Sequence, residues 1–262
     1  MPDRASLNLI SLPSATLEGK LYAALTAGFR AVGLLWEEMQ QAGELGLREL
    51  RLSELAVAEV VGLSGWMDDN RTSRTLALVQ AESAFELAAK MQCGVVIAWP
   101  PAERVDPVTA ADRFRELCRV AEPFPMRVGL EFLGSAGPVR DLACAWGIVE
   151  AAEAGNGGLV IDTFHFHRGA SAIEMLDPVP GERILSVQVS DCADVPRHEL
   201  GDRHRVYPGS GVIALEPLLA AVRAKGYSGY YSLELDGEAY AQEDPLVVAR
   251  EGLRAMRRLD ID

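Results

Sequence analysis

Residues 158–167 read GLVIDTFHFH. Leu159, Val160 and Ile161 form an apolar run of strand length with no polar alternation. Such a run suits a strand covered on both faces, as in a parallel sheet. It stops on a carboxylate, Asp162, and two histidines follow, His165 and His167. In α/β folds ligands gather where buried strands end, so this junction predicts both an architecture and the place of its chemistry.

Outward from it the same alternation repeats. Strands are predicted at Leu7–Ile10, Ala31–Trp36, Val57–Ser64, Gly94–Trp99, Arg127–Phe132, Gly158–Asp162, Ile184–Ser190 and Tyr230–Leu235. Helical spacing fills the gaps. Leu17, Leu21, Ala24 and Leu25 make one apolar stripe, stopped by Gly28. Phe114, Leu117, Cys118 and Ala121 make another, with Thr109 as its expected cap. Leu142, Trp146 and Val149 make a third, closed by Gly155, and Asp244-Pro245 opens the last. Eight strands alternating with helices predict a (β/α)₈ TIM barrel, one domain over residues 1–262. A doubly wound open sheet would carry a glycine-rich turn after its first strand. Here that turn is SLPSAT, residues 11–16.

The chain has 262 residues, a length at which one α/β barrel commonly forms. Its formal net charge of −13 disfavours phosphate backbones and anionic lipid, so nucleic acid and membrane surfaces are poor partners. Cys93, Cys118, Cys144 and Cys192 show neither CxxC nor zinc-finger spacing and read as reduced, mostly buried thiols. The opening MPDRASLNLISLPSATLEGK lacks a sustained apolar run, and no membrane-length run follows. No secretory signal or membrane span is expected, and a cytoplasmic location is.

The last four strands each carry a polar group. Glu131 lies in VGLEF, Asp162 ends GLVID, Gln188 lies in SVQVSD, and Glu234 lies in YYSLEL. A carboxylate inside an apolar strand is costly unless paired or metal-bound. Three carboxylates and an amide oxygen on consecutive strands predict one divalent ion held at the open end of the barrel. All-oxygen ligation suits Mn²⁺ or Mg²⁺, with Co²⁺ as a further candidate. The competing view makes them helix caps or partners of arginines. His165, just past Asp162, is a candidate acid, base or donor to substrate; His167 is a weaker one. Arg205, three residues before Pro208, is read as a clamp over the pocket, and the glycines after it as turn punctuation. Trp66 and Trp99, after the third and fourth strands, are candidate walls for a sugar-sized ligand.

GLEF at 129–132, D-x-x-H at 162–165, VQVSD at 187–191, R-x-x-PGSG at 205–211 and GYSGYYSLEL at 226–235 together resemble the xylose isomerase-like superfamily of metal-dependent barrels. The resemblance spans nearly the whole chain. In its ketose 3-epimerases the ligands are Glu, Asp, His and Glu, positions that fall on Glu131, Asp162, Gln188 and Glu234. Gln188 departs from that histidine and is similar instead to 3-dehydroshikimate dehydratases, which use Gln in a comparable motif. The resemblance implies that His165 binds or protonates a substrate oxygen and that Arg205 binds substrate. It extends to endonuclease four, but a chain with only 4 histidines and this acidity lacks the His-rich cluster of that enzyme.

The implied chemistry removes a proton beside a carbonyl, with Glu131 and Glu234 as acid and base. The favoured function is an isomerase or epimerase of a sugar, sugar phosphate or keto-polyol. A dehydratase of the 3-dehydroshikimate or keto-inositol type is the second reading, and a non-catalytic ligand-binding barrel the third. A homo-oligomer is compatible with each.

Overall fold

The computed structural model describes residues 4–134, 137, 139–235 and 239–261. Eight parallel strands close a barrel: β1 (Ala5–Asn8), β2 (Ala31–Leu35), β3 (Ala56–Leu63), β4 (Val95–Ala98), β5 (Arg127–Glu131), β6 (Gly157–Asp162), β7 (Ile184–Val189) and β10 (Tyr231–Leu233). Around it stand α1 (Leu17–Ala27), α2 (Trp36–Ser53), α3 (Arg71–Lys90), α4 (Pro107–Ala121), α5 (Leu142–Ala152), the short α6 (Thr163–Arg168), α7 (Leu215–Ala224) and α8 (Pro245–Met256). The order β1-β10-β7-β6-β5-β4-β3-β2 returns to β1, so the predicted barrel is the observed one. Beyond β7, β8 (Asp191–Cys192) and β9 (Arg205–Val206) form a small antiparallel ribbon at the barrel's C-terminal end. Among the described residues, no helix is long and apolar enough to cross a membrane.

Several ends differ from expectation for local reasons. The Asn8 side chain accepts from Ile10 N, which ends β1 at Asn8 and winds Leu9–Ser11 into a 3₁₀ turn. Asp106, not Thr109, caps α4; its carboxylate accepts from Val108 N and Thr109 N, and Pro107 takes the first helical position. Helix α5 stops at Ala152 because Glu153 turns left-handed (φ 53°), so Gly155 lies past its end. Gly28 (φ 106°) and the Asp244-Pro245 pair act as expected.

Apolar side chains are divided unevenly. Leu7, Val187, Val189, Tyr231 and Leu233 face the large core between strands and helices, with Phe114, Leu117 and Cys118 of α4 among the buried residues of that layer. Within the barrel a small apolar cluster of Val61, Ile97 and Val160 fills one side. The other side is polar: Ser6, Asn8, Ser186, Gln188 and Ser232 are all buried. They alternate with the outward apolar residues at period two. One half of the lumen is therefore built for hydrogen bonds.

Candidate active site

A cavity of about 580 Å³ opens at the C-terminal end of the strands. Glu131, His165, Arg205, Glu234, Trp99 and Arg168 are among the residues lining it. Asp162 is fully buried just beneath. Ligand atoms of Glu131, Asp162 and His165 all lie within 4.8 Å of one another, a spacing that could hold a metal ion.

Each side chain is set by its element. Strand β6 ends at Asp162, whose Oδ1 accepts from His165 N at 2.6 Å and starts α6. That cap turns His165 back over the strand ends. Its Nε2 lies 3.6 Å from Glu131 Oε1. Trp99 Nε1 donates to Glu131 Oε2 at 2.7 Å. Asn8 Nδ2 donates to Glu234 Oε2 at 2.7 Å.

Arg205 reaches the centre from the ribbon. Its Nη1 donates to Asp162 Oδ2 at 2.8 Å and to Ser190 Oγ at 3.1 Å. Its Nη2 stands 3.2 Å from His165 Nε2 and 3.7 Å from Glu234 Oε1. The guanidinium also lies over the Phe164 ring. The ribbon is held by Asp191, whose carboxylate collects the N–H groups of Cys192, Gly209, Gly211 and Ile213.

Electrostatics separate the carboxyls. Burial, then the charges of Glu234 and Asp162, push Glu131 well above the ordinary range. Burial also raises Glu234, to about 8, with Arg205 opposing. Burial would raise Asp162 too, but the adjoining Arg205 and His165 hold it low. Burial lowers His165 to about 4, so the ring is neutral at physiological pH.

Of the residues singled out from sequence, Glu131, Asp162, His165, Arg205 and Glu234 meet here, and Trp99 adjoins Glu131. Gln188 lies deeper, beside Asp162 in the β6–β7 register, with its Oε1 buried and without a hydrogen-bond partner. Trp66 is fully buried, packs on Phe114 and donates from Nε1 to Trp99 O. It supports Trp99 from behind, in place of the expected ligand contact. His167 does not line the cavity. Sequence reasoning missed Glu59 and Asn8. Glu59 sits in AVAEVVGL, a buried carboxylate in an apolar run, the same signal that marked Glu131.

A family profile described as xylose isomerase-like TIM barrel matches residues 21–259. The chain belongs to this family. Relatives differ in their named activity. An inosose isomerase of Bacillus subtilis is 34% identical over 155 residues, 59% of this chain and 54% of its own length. A 3-dehydroshikimate dehydratase of Pseudomonas aeruginosa is 29% identical over 263 residues, covering 97% of this chain and 41% of that enzyme. The chain thus spans about half the length of the curated relatives it matches. In fold it is similar to the IolI protein, solved with a zinc atom, at a TM-score of 0.90 and 23% identity over 97% of both chains.

Proposed function

We propose that this family member is a divalent-metal-dependent isomerase or epimerase of a sugar-like keto-polyol. The observation that carries the proposal is that Glu131 and Glu234 line one cavity at the catalytic end of the barrel, with Asp162 buried beneath it and paired with the Arg205 that also approaches Glu234. The kinship with an inosose isomerase supports the substrate class.

The donor set fits a hard cation. Glu131, Asp162, Gln188 and Glu234 would hold it, and the orphaned Gln188 Oε1 is a buried oxygen in want of a partner. Mn²⁺ or Mg²⁺ suits these oxygens. A cation bound there would supply Lewis-acid polarisation of a substrate carbonyl, which would acidify the adjacent C–H.

The chain's own residues then move the proton. Glu131 and Glu234 enter the cavity from β5 and from the end of β10, with β6 and β7 between them. One takes the proton and the other returns one. Return to the opposite face of the same carbon gives an epimer; return to the neighbouring carbon gives an isomer. Arg205 donates to His165 Nε2, which sets the ring proton on Nδ1. Nδ1 is buried without a partner, and His165 lines the cavity, which supports a role toward a substrate oxygen. Trp99 orients Glu131 and walls the cavity.

A dehydratase is the second reading, favoured by kinship with a 3-dehydroshikimate dehydratase along 97% of this chain. There the same deprotonation ends with loss of a β-hydroxyl as water. The Mn²⁺-loaded protein, incubated in heavy water with an inosose, keto-sugars, sugar phosphates and 3-dehydroshikimate, tests both. An isomeric or epimeric product with deuterium on carbon is expected by NMR. An ultraviolet-absorbing conjugated product would transfer the assignment to the dehydratase. Binding of one compound with neither label nor product would make the barrel a ligand-binding module.

A further inference from the structure

Glu59 has no part in the chemistry proposed above, yet it is completely buried inside the barrel. Among the described residues no cation pairs with it. Its carboxyl is held by neutral donors: Asn8 Nδ2 and Gln188 Nε2, each 3.4 Å from Oε1, and the Ser186 hydroxyl at Oε2. Strands β3 and β7 are not neighbours in the sheet, so these bonds cross the lumen. The backbone makes room for them. Asn8, Gly33 and Glu59 stand in one row across β1, β2 and β3. A Cβ on Gly33 would lie 3.0 Å from Glu59 Oε1 and 3.2 Å from Asn8 Cγ.

Both amides that Glu59 holds lead to the site. Asn8 Nδ2 also donates to Glu234 Oε2, and Gln188 is one of the four candidate ligands. An amide has two ends of nearly equal shape and opposite polarity. An acceptor at Nε2 fixes which end is which, and Oε1 is the end left without a partner. Reversal would set oxygen against oxygen. We propose that Glu59 is a positioning residue that locks the Gln188 amide with its oxygen free for a metal ion, and through Asn8 sets the Glu234 carboxylate. This rests on the four-ligand reading of the site.

Groups that orient metal ligands typically contribute about 10–100-fold to metal affinity. The test is Mn²⁺ titration of the full chain by calorimetry, beside thermal unfolding of the metal-free proteins. Glu59→Leu should weaken Mn²⁺ binding by about tenfold or more, whereas Glu59→Gln, which keeps an acceptor oxygen, should stay within about threefold of the wild type. Gly33→Ala, which removes no hydrogen-bonding group, should weaken binding in the same direction and replaces Glu59→Leu if that variant does not fold. Wild-type protein that binds no Mn²⁺ would refute the four-ligand reading itself. Wild-type affinity in a folded Glu59→Leu or Gly33→Ala protein would overturn the role of Glu59. So would equal losses in the Gln and Leu variants, because charge alone would then suffice.

Discussion

His165 belongs to two arrangements at once: it is near enough to Glu131 and Asp162 to share an ion with them, and it is also the neutral ring set by Arg205. The proposed role is the second. His165→Ala should lower turnover by about a hundredfold, the range for a positioned acid or base, with Mn²⁺ content unchanged by atomic absorption. Metal lost in step with activity would make it a ligand. The sequence exposed Glu131, Asp162 and Glu234 because a carboxylate closing an apolar strand is expensive and so conspicuous. Glu59 carries the same mark but lies inside its strand, where attention to strand ends does not reach. Trp66 shows another limit. Gly65, just before the ring, takes a φ of 76°, and the bend there leads the chain into Trp66, which packs behind Trp99. Glycines are visible in a sequence; the direction they send the next side chain is not.

At the scale of elements, periodicity located all eight strands and misjudged several ends, because ends are settled by single hydrogen bonds. Asp141 illustrates how much such a bond carries. It caps α5 by accepting from Cys144 N at 2.8 Å and also takes Arg140 Nε at 2.9 Å. Burial would raise its carboxyl, but these donors hold it below the ordinary range. Asp141→Ala should cost about 1 kcal/mol, as for other caps, and lower the melting temperature by about 2–4 °C for a chain of this size. Asp141→Asn should recover most of that loss. Because the folded carboxyl is depressed, its contribution is complete above the unfolded value near pH 4 and fades as acid titrates the folded group. The gap between wild type and Asp141→Ala should therefore narrow in acid, which thermal melts at several pH values would reveal.

For the whole molecule, the barrel concentrates unfavourable charge at one end. Glu234 is raised to about 8 and Glu131 lies well above the ordinary range. A carboxyl raised on folding destabilises as pH climbs from its unfolded value toward its folded one. Chelator-treated protein should melt higher at pH 6 than at pH 8. Mn²⁺ at 100 times its Kd should add about 2.7 kcal/mol. A calorimetric scan with no metal-dependent shift at pH 8 would contradict the site. The fork at Asp191 suggests a use for the same architecture. Four backbone N–H groups converge on one carboxylate, and a Cβ at Gly211 would strike Cys192 O. The path of the chain around Arg205 is thus written in main-chain bonds, while the side chains of Ser210 and Val212 remain exposed. Diversity can be introduced at those two positions, with Asp191, Gly209 and Gly211 kept, without dismantling the centre that Arg205 helps to hold.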